Sequence, residues 1–290
     1  MILIKAELTG KQLLSLIDQP VDQDEVRFWW LGQAGFAFRH KNFLVLIDPY
    51  LSDSLAEKYK HSELKHLRMM PVPLPPEMIR GCNGYLCTHG HTDHMDPLTI
   101  RLIQQHSTPY FVIPRAEIER GLERGIPPDR LKTIDTGETL ELAEGISVEA
   151  VAAAHERLEV DNAGYSKYLG YVISISGLRL YHSGDCIPYP GLIRTLLDRK
   201  IDLAFLPING RDEYRLSRGI PGNFTLEEAV ELCKAAQIPH LVCHHFGMFS
   251  FNTIDRQTAQ KKLHDRSGSL AWVLPEIGVT YHIVTDQKGT

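Results

Sequence analysis

Short apolar runs alternate with longer amphipathic segments along most of this chain. The first three runs, VRFWWLG, FAFRH and NFLVLID, predict an opening β-meander with turns at Gly32–Gly35 and at Lys41–Asn42. A short strand is predicted at GYLCTH, and the helical pattern DPLTIRLIQQH follows it, with Asp96 as N-cap and Pro97 at the first helical position. The strand PYFVIP and the helix AEIERGLERG then repeat this step.

The second half of the chain shows the same alternation. ISVEAVAAAH, LGYVISISG and LRLYHSGD predict consecutive strands, and YPGLIRTLLDRK predicts a helix. The strand IDLAFLPING, the helix TLEEAVELCKAA with Thr225 at its start, and the strand HLVCHH come next, before a last helix and a closing strand at VTYHIVT. Sheets first and strand–helix units after, twice over, predict two β-sheets packed inward with helices outside.

The segment from 51 to 79 fits neither the strand period nor the helix period. It is first charged and then rich in proline, and loops of this length in compact domains are usually functional or disordered. We interpret it as a loop or small helical insertion over one face of a single domain that spans residues 1–290. No short-period repeat and no low-complexity linker divides the chain.

Composition and charge limit the cellular compartment and the classes of partner that we expect for this protein. The chain of 290 residues has a formal charge of −5 and a pI near 6.3, which gives no general attraction to nucleic acid or to an anionic membrane. No apolar run approaches the length of a transmembrane helix, and we expect no targeting signal at the N-terminus, where a long apolar run and a small-residue cleavage site are both missing. The odd number of cysteines, without a CxxC pair, predicts a reduced cytoplasmic protein. The expected partner is a small-molecule substrate, and a homo-oligomer is compatible with the sequence.

The stretch HGHTDH concentrates metal-ligating side chains directly after an apolar strand. His89 and His91 are two positions apart, so they point the same way on an extended segment. Asp93 and His94 follow where the chain turns into the helix. Ligands sent in two directions from one strand end suit two adjacent metals, and imidazole and carboxylate both bind borderline divalent cations.

Three later residues complete a candidate metal site. His155, Asp185 and His245 each follow an apolar run and precede loop-like residues, as expected if several strands deliver ligands to one rim. A lone histidine at a strand end is more often a hydrogen-bonded structural residue. The incomplete ligand set at 89–94 is what favours the metal-binding interpretation here.

These motifs resemble those of the metallo-β-lactamase-fold hydrolases. The resemblance covers roughly residues 27 to 250, and FWWLGQAGF, LIDPYLSD, YHSGDC and HHFGMF are most similar to the L-ascorbate-6-phosphate lactonase-like branch. It implies an α/β fold, the four-layer αββα sandwich with two mixed β-sheets and helices outside, and a two-metal hydrolytic site.

The resemblance also implies a ligand set. One metal is expected at His89, His91 and His155, and the other at Asp93, His94 and His245, with Asp185 as the bridge. The late ligand is ambiguous because two histidines stand together. The spacing of HFGMF fits the family pattern when it starts at His245 and does not fit when it starts at His244.

The expected cofactors are two divalent metal ions, Zn²⁺ or Mn²⁺ in preference to iron. Two such cations about 3.5–4 Å apart can share a water and lower its pKa toward neutrality. Asp185 and Asp93 are the predicted catalytic residues, Asp185 holding the metal pair and Asp93 orienting the hydroxide. Asp48 in LIDPY is predicted to orient a ligand histidine, and the alternative is that Asp48–Pro49 only forms a turn.

Four residues are candidates for substrate contact: Arg211, Tyr214, His182 and Phe249. Arg211 follows a strand whose end should face the site, and basic residues of the 51–79 insertion could join it in binding a phosphate or carboxylate. Charged runs are usually solvated faces, and His182 could equally be a satisfied structural histidine.

The sequence therefore predicts a metal-dependent hydrolase for a small polar substrate, with a phosphorylated sugar lactone or another cyclic ester preferred. The alternatives are a phosphodiesterase for a phospholipid or cyclic nucleotide, and an iron-dependent oxidoreductase on the same fold. An apolar surface at the pocket mouth would favour the lipid substrate, and a compact basic pocket would favour the phosphorylated lactone. The sequence does not fix the substrate, the native metal or the oligomeric state, since one fold serves many reactions.

Overall fold

Two mixed β-sheets form the centre of the protein, and the computed structural model describes residues 2–4, 9–22 and 24–284. In chain order the strands are β1 (Ile2–Ile4), β2 (Glu25–Gly32), β3 (Gly35–His40), β4 (Phe43–Ile47), β5 (Cys82–Leu86), β6 (Tyr110–Pro114), β7 (Leu131–Ile134), β8 (Thr139–Ala143), β9 (Ile146–Ala152), β10 (Leu169–Ile175), β11 (Leu178–His182), β12 (Leu203–Pro207), β13 (His240–His244), β14 (Ala271–Val273) and β15 (Thr280–Val284). The α-helices are α1 (Gly10–Ile17), α2 (Ser54–Lys58), α3 (Pro97–Ile103), α4 (Ile118–Glu123), α5 (Leu192–Arg199), α6 (Glu213–Leu216), α7 (Leu226–Ala235) and α8 (Arg256–Arg266).

Each sheet has an antiparallel half and a parallel half. The first sheet runs in the order β1-β15-β2-β3-β4-β5-β6-β7, antiparallel as far as β4 and parallel from β4 to β7. The second runs β14-β13-β12-β11-β10-β9-β8, parallel as far as β11 and antiparallel beyond it. The predicted α/β architecture of two mixed sheets is confirmed.

Alternation of side chains along the strands builds two cores. On β2, Phe28 and Trp30 lie in the core between the sheets, whereas Trp29 and Leu31 lie in the core on the outer face of the first sheet. Phe28 meets Phe205 of the second sheet edge to face, with ring centroids 5.3 Å apart. Burial on both faces explains why these strands appear in the sequence as nearly continuous apolar runs.

Helices cover both outer faces of the sheets, and α3 and α7 begin where the sequence predicts. Ile100 of α3 packs into the outer core of the first sheet, and Val230 of α7 packs against the second sheet. The Asp96 side chain accepts hydrogen bonds from the first turn of α3. Thr225 and Glu228 form a capping box at the start of α7.

The segment from 51 to 79 contains α2 and a 3₁₀ turn at Pro76–Met78 and is otherwise irregular. Arg68 fixes this segment to the start of the loop that follows β4. Its guanidinium donates to the carbonyl oxygens of Tyr50 and Ser52 at 3.0 and 3.2 Å. The pattern did not predict α1, α6, β1, β7, β8 or β14, which are short elements of three to eight residues.

None of the helices in the described ranges is long and apolar enough to cross a bilayer. All five cysteines are buried and carry free thiols.

Candidate metal centre

The structure brings every predicted metal ligand to one rim of the sandwich. The ligands lie in loops that follow strands: the HGHTDH turn between β5 and α3, the segment after β9, the loop after β11, and the first residue beyond β13. Their close contacts join seven side chains, namely His89, His91, Asp93, His94, His155, Asp185 and His245. Strands of both sheets therefore end at a common site. In open α/β sheets, ligands commonly bind outside the carboxyl ends of the strands.

The imidazole group consists of His89, His91 and His155. One ring nitrogen of each lies within 4.8 Å of the others, and His89 Nε2 is 3.0 Å from His91 Nδ1. The Tyr168 ring packs against all three, with centroids 5.0 to 6.0 Å away. Burial lowers the pKa of His89 well below its usual value and the pKa of His91 to about 4. Both rings are therefore neutral near pH 7, which is the form that binds metal.

The mixed group consists of Asp93, His94 and His245. Their ligand atoms also lie within 4.8 Å of one another. Asp93 Oδ2 is 3.8 Å from His94 Nε2 and 3.9 Å from His245 Nε2. A carboxylate beside two imidazoles is a donor set that suits zinc, manganese or iron.

Asp185 lies between the two groups. Its Oδ1 is 3.3 Å from both His94 Nε2 and His245 Nε2 in the mixed group, and its Oδ2 is 3.5 Å from His155 Nε2 in the imidazole group. Burial alone would raise the pKa of Asp185, but the neighbouring His245 and His94 hold it well below its usual value. The carboxylate is thus ionised, with one oxygen facing each group.

Unpaired buried atoms show that these residues fit a cation. His94 Nε2 and Asp185 Oδ1 are buried 3.3 Å apart, and neither atom forms a hydrogen bond of ordinary geometry in the part of the chain that the structure describes. Buried polar atoms without a partner are costly, and a divalent ion would satisfy both together with the surrounding imidazoles.

Asp48 orients one ligand of the mixed group. Its Oδ2 accepts a hydrogen bond from His94 Nδ1 at 2.7 Å, and its carboxylate also accepts from the Thr88 backbone N–H at 2.8 Å and hydroxyl at 2.6 Å. With its proton on Nδ1, His94 turns Nε2 toward Asp185. Burial opposes protonation of His94, but Asp185, Asp48 and Asp93 together raise its pKa well above the usual value. The hydrogen bond predicted for Asp48 is confirmed.

His244 and His245 point to opposite sides of β13. His244 stacks on His182 with ring centroids 4.7 Å apart and an interplanar angle of 8°. His245 adopts a left-handed backbone, with φ of 57°, and its N–H donates to the Gln33 carbonyl oxygen. This reversal of the backbone turns the His245 ring toward Asp93 and Asp185. The structure thus places His245, the predicted member of the pair, in the mixed group.

A cavity of about 270 Å³ opens over the centre. Its wall includes ligands, aromatic rings from two sides, and two cationic side chains. Besides the ligands, the wall includes Gln33, Lys58, Tyr59, His66, Arg218, Phe249 and Phe251. A larger surface groove of about 790 Å³ near Leu51 and Arg101 has no histidine in its lining.

Of the four predicted substrate residues, the structure places only Phe249 in this cavity wall. Arg211 is instead paired through both terminal nitrogens with Glu228, each contact 2.6 Å. His182 is 1% exposed, and its Nε2 donates to the Ala34 carbonyl oxygen at 2.9 Å. Tyr214 is 62% exposed outside the lining, with its ring under the Arg218 guanidinium. The structure therefore places Arg211, His182 and Tyr214 outside this cavity wall, and their contact with substrate stays a prediction.

Sequence reasoning missed Gln33, Tyr59 and Phe251 as wall residues. Gln33 was detectable in principle, since it is a polar residue at the end of an apolar strand on the same rim. Tyr59 and Phe251 carry no local signal. Both pack around His66, with ring centroids 4.1 and 4.8 Å from its ring.

Comparison with known proteins gives consistent matches. A family model described as the Beta-lactamase superfamily domain matches residues 44–246. The UPF0173 metal-dependent hydrolase of Thermoplasma acidophilum is 31% identical over 260 residues, which cover 88% of this chain and 97% of that protein. The protein named "Probable L-ascorbate-6-phosphate lactonase UlaG" of Escherichia fergusonii is 20% identical over 278 residues, 84% of this chain and 77% of that protein.

A solved structure shares the fold. It is described as a "possible metal-dependent hydrolase" from Veillonella parvula, and it has a TM-score of 0.70 and 16% sequence identity. The match covers 89% of this chain and 99% of that chain.

Proposed function

The chain belongs to the metallo-β-lactamase superfamily and is a metal-dependent hydrolase, and we propose that its centre holds two divalent cations and hydrolyses a small anionic lactone or cyclic ester. The observation that carries this proposal is Asp185, whose two oxygens face the imidazole group and the mixed group at 3.3 to 3.5 Å. A carboxylate shared in this way suits a pair of cations.

Two cations bound here, zinc or manganese, would lower the pKa of a shared water and act as Lewis acids toward the substrate. The residues of the chain supply the rest. Asp185 would hold the two groups together, and Asp93, which accepts a hydrogen bond from Gln33 Nε2 at 2.8 Å, would orient the attacking water. Asp48 keeps His94 in the tautomer that presents Nε2 to the centre.

The cavity supports a small substrate. About 270 Å³ lies just below the usual range of about 300–1,000 Å³ for small-molecule pockets. Phe249 and Phe251 form an apolar wall, with parallel rings 5.9 Å apart, and the His66 ring meets both edge to face. Such a wall suits the carbon skeleton of a cyclic ester, whereas the acyl chains of a phospholipid need a longer apolar surface.

Two positively charged side chains at the cavity support the proposal that the substrate is negatively charged. Lys58 comes from the 51–79 segment and Arg218 from the loop after α6. Each lies over a tyrosine ring, Lys58 over Tyr59 and Arg218 over Tyr214, and neither forms a salt bridge within the described residues. An unpaired cation beside a catalytic cavity is available to a phosphate or carboxylate.

Metal analysis combined with a substrate panel tests the proposal. The panel contains neutral lactones, phosphorylated lactones and phosphodiesters, and wild type is compared with Asp185→Asn. We expect wild type to bind about two cations per chain and to hydrolyse lactones. The variant should lose the bound cations and the lactone hydrolysis. Full activity of Asp185→Asn, or turnover of phosphodiesters alone, would contradict the proposal.

The anionic substrate is tested at Lys58 and Arg218. Alanine at either position should raise KM for a phosphorylated lactone by about 3- to 10-fold, equivalent to about 0.7–1.4 kcal/mol, without a similar change for a neutral lactone. Lys132→Ala is a matched control, because the Lys132 ammonium lies over the Tyr110 ring away from the cavity. An equal rise for charged and neutral substrates would rule out the anion-binding role.

A further inference from the structure

Gln33 occupies a backbone conformation that favours glycine. It lies in the turn between β2 and β3 with φ of 52°, and its side chain is buried, with 1% of the residue exposed. A glycine adopts positive φ without steric cost, and other residues pay for it in strain. Since the backbone alone would be served better by glycine, the contacts of the Gln33 side chain need an explanation.

The main chain of Gln33 already joins two elements of the rim. Its carbonyl oxygen accepts a hydrogen bond from the His245 N–H at 2.9 Å and another from Trp30 Nε1 at 3.0 Å. These bonds fix the turn to the residue that follows β13. They would form equally well with glycine, so they do not account for the amide side chain.

The side chain contacts two of the three members of the mixed group. Gln33 Nε2 is 2.8 Å from Asp93 Oδ2 and 3.0 Å from His245 Nε2. The amide oxygen Oε1 is buried, and no hydrogen-bond partner for it lies within residues 9–22 or 24–284. A strained backbone and an unsatisfied buried carbonyl at one residue are typical of functional sites.

We propose that Gln33 is a positioning residue for the mixed group, holding Asp93 and His245 in the metal-free protein at the separation that a cation requires. The inference rests on the two-cation centre of the proposed function. Because His245 Nε2 has a single lone pair, its bond with Gln33 belongs to the metal-free protein. The bond to Asp93 is the contact that the loaded centre retains, and it keeps the carboxylate from turning away.

The geometry separates Gln33 from the other half of the centre. Its described contacts reach Asp93 and His245 and include no member of the imidazole group. Loss of the amide should therefore weaken the binding of one cation and leave the binding of the other unchanged. A general loss of folding would weaken both.

Stepwise zinc binding to the metal-free protein tests this. Calorimetric titration with a competing chelator is run on wild type, Gln33→Met, Gln33→Asn and Gln237→Met. Methionine keeps the length of glutamine without the amide, and asparagine tolerates positive φ but is too short to reach both partners. Gln237 is a matched control, since it also has positive φ, at 55°, and lies exposed after α7.

We expect both Gln33 variants to bind one equivalent about 10- to 100-fold more weakly, the usual cost of removing a group that orients a ligand. This should be the equivalent that His245→Ala abolishes. The other equivalent and the circular dichroism spectrum should match those of wild type and Gln237→Met.

Two results would overturn the role of Gln33: equal weakening of both equivalents, or two unchanged equivalents in Gln33→Met. A wild type that binds only one equivalent would instead refute the two-cation centre, and the inference would fall with it.

Discussion

Two sets of buried histidines in this protein meet at consecutive residues, His244 and His245. The five histidines of the imidazole and mixed groups surround Asp185 and would face the proposed cations, and we call them the metal-facing set. The stacked pair is His182 and His244, whose rings lie parallel between the sheets. Both sets follow or end apolar strands and both are largely buried, so the sequence makes them look alike.

Their partners distinguish the two sets. The stacked pair is surrounded by aromatic rings, with Phe36 and Phe205 centroids 5.8 to 6.2 Å from the His182 and His244 rings. The metal-facing set has two carboxylates among its rings and a cavity above it. The two sets thus share burial and residue type. The set that can hold cations differs in having neighbouring carboxylates and a cavity that opens above it.

Substitution of the two consecutive histidines should give the largest difference. His245→Ala removes a predicted ligand, and we expect loss of one cation per chain and a drop in kcat/KM of more than about 100-fold, since even loss of a group that only orients a ligand costs about 10- to 100-fold. His244→Leu should keep both cations and most activity. Metal analysis and steady-state kinetics measure both variants.

Stability provides the control for this pair. Neither ring nitrogen of His244 has a hydrogen-bond partner in the part of the chain that the structure describes. Leucine at this position should therefore change the free energy of unfolding by no more than about 1 kcal/mol. Loss of a cation from His244→Leu, with His245→Ala fully loaded, would reverse the assignment of the two residues.

Asp48 should give the next largest effect. Asp48→Asn keeps the shape but can place an amide against His94 Nδ1, which now donates to the carboxylate. We expect about a 10- to 100-fold loss of affinity for the cation of the mixed group, measured by chelator competition. Asp161→Asn is the control, because Asp161 accepts backbone hydrogen bonds in a surface turn. Equal affinities in the two variants would mean that Asp48 only shapes its turn.

The sequence predicts those parts of the fold and centre that local pattern determines. Strand periodicity, the Asp96 and Thr225 caps and the HGHTDH turn are signals within a few residues, and the structure has each of them. The strand-end positions of His155, Asp185 and His245 came from the same reasoning, helped by the family resemblance.

What the sequence could not give depends on contacts between distant residues. Gln33 meets Asp93 and His245 across 60 and 212 positions. Nothing near Arg211 in the sequence indicates that Glu228, held in the first turn of α7 by Thr225, will pair with it. In the sequence, a basic side chain that forms an ion pair cannot be told from one that does not until the fold is known.

Metal removal should separate the two sets of histidines by pH. Asp185, Asp48 and Asp93 raise the pKa of His94 although burial opposes this, so in the metal-free protein its proton contributes stability. That contribution is complete below about pH 6.5, the unfolded value, and is lost as the pH rises through the higher folded pKa. The stacked pair behaves oppositely, since burial lowers the pKa of both His182 and His244.

Urea unfolding of chelated protein between about pH 6.5 and pH 9 measures this effect. We expect the free energy of unfolding to fall with rising pH, by at most about 1.4 kcal/mol per pH unit for one group, and His94→Gln to abolish the fall. His244→Leu should retain it. A slope that His244→Leu removes and His94→Gln keeps would assign the titration to the stacked pair.

The smallest effect on catalysis is expected at His182. Its Nε2 donates to the Ala34 carbonyl oxygen, and its Nδ1 accepts from the Gly184 N–H at 3.1 Å, so both nitrogens serve the backbone. His182→Gln can keep one of these bonds, and we expect it to lower the free energy of unfolding by about 1 kcal/mol while KM stays unchanged. A tenfold higher KM with unchanged kcat would instead mean that this histidine contacts the substrate. Since the ring is 1% exposed, such contact would require the β2–β3 turn to open, and the separation between stacked and metal-facing histidines would no longer hold.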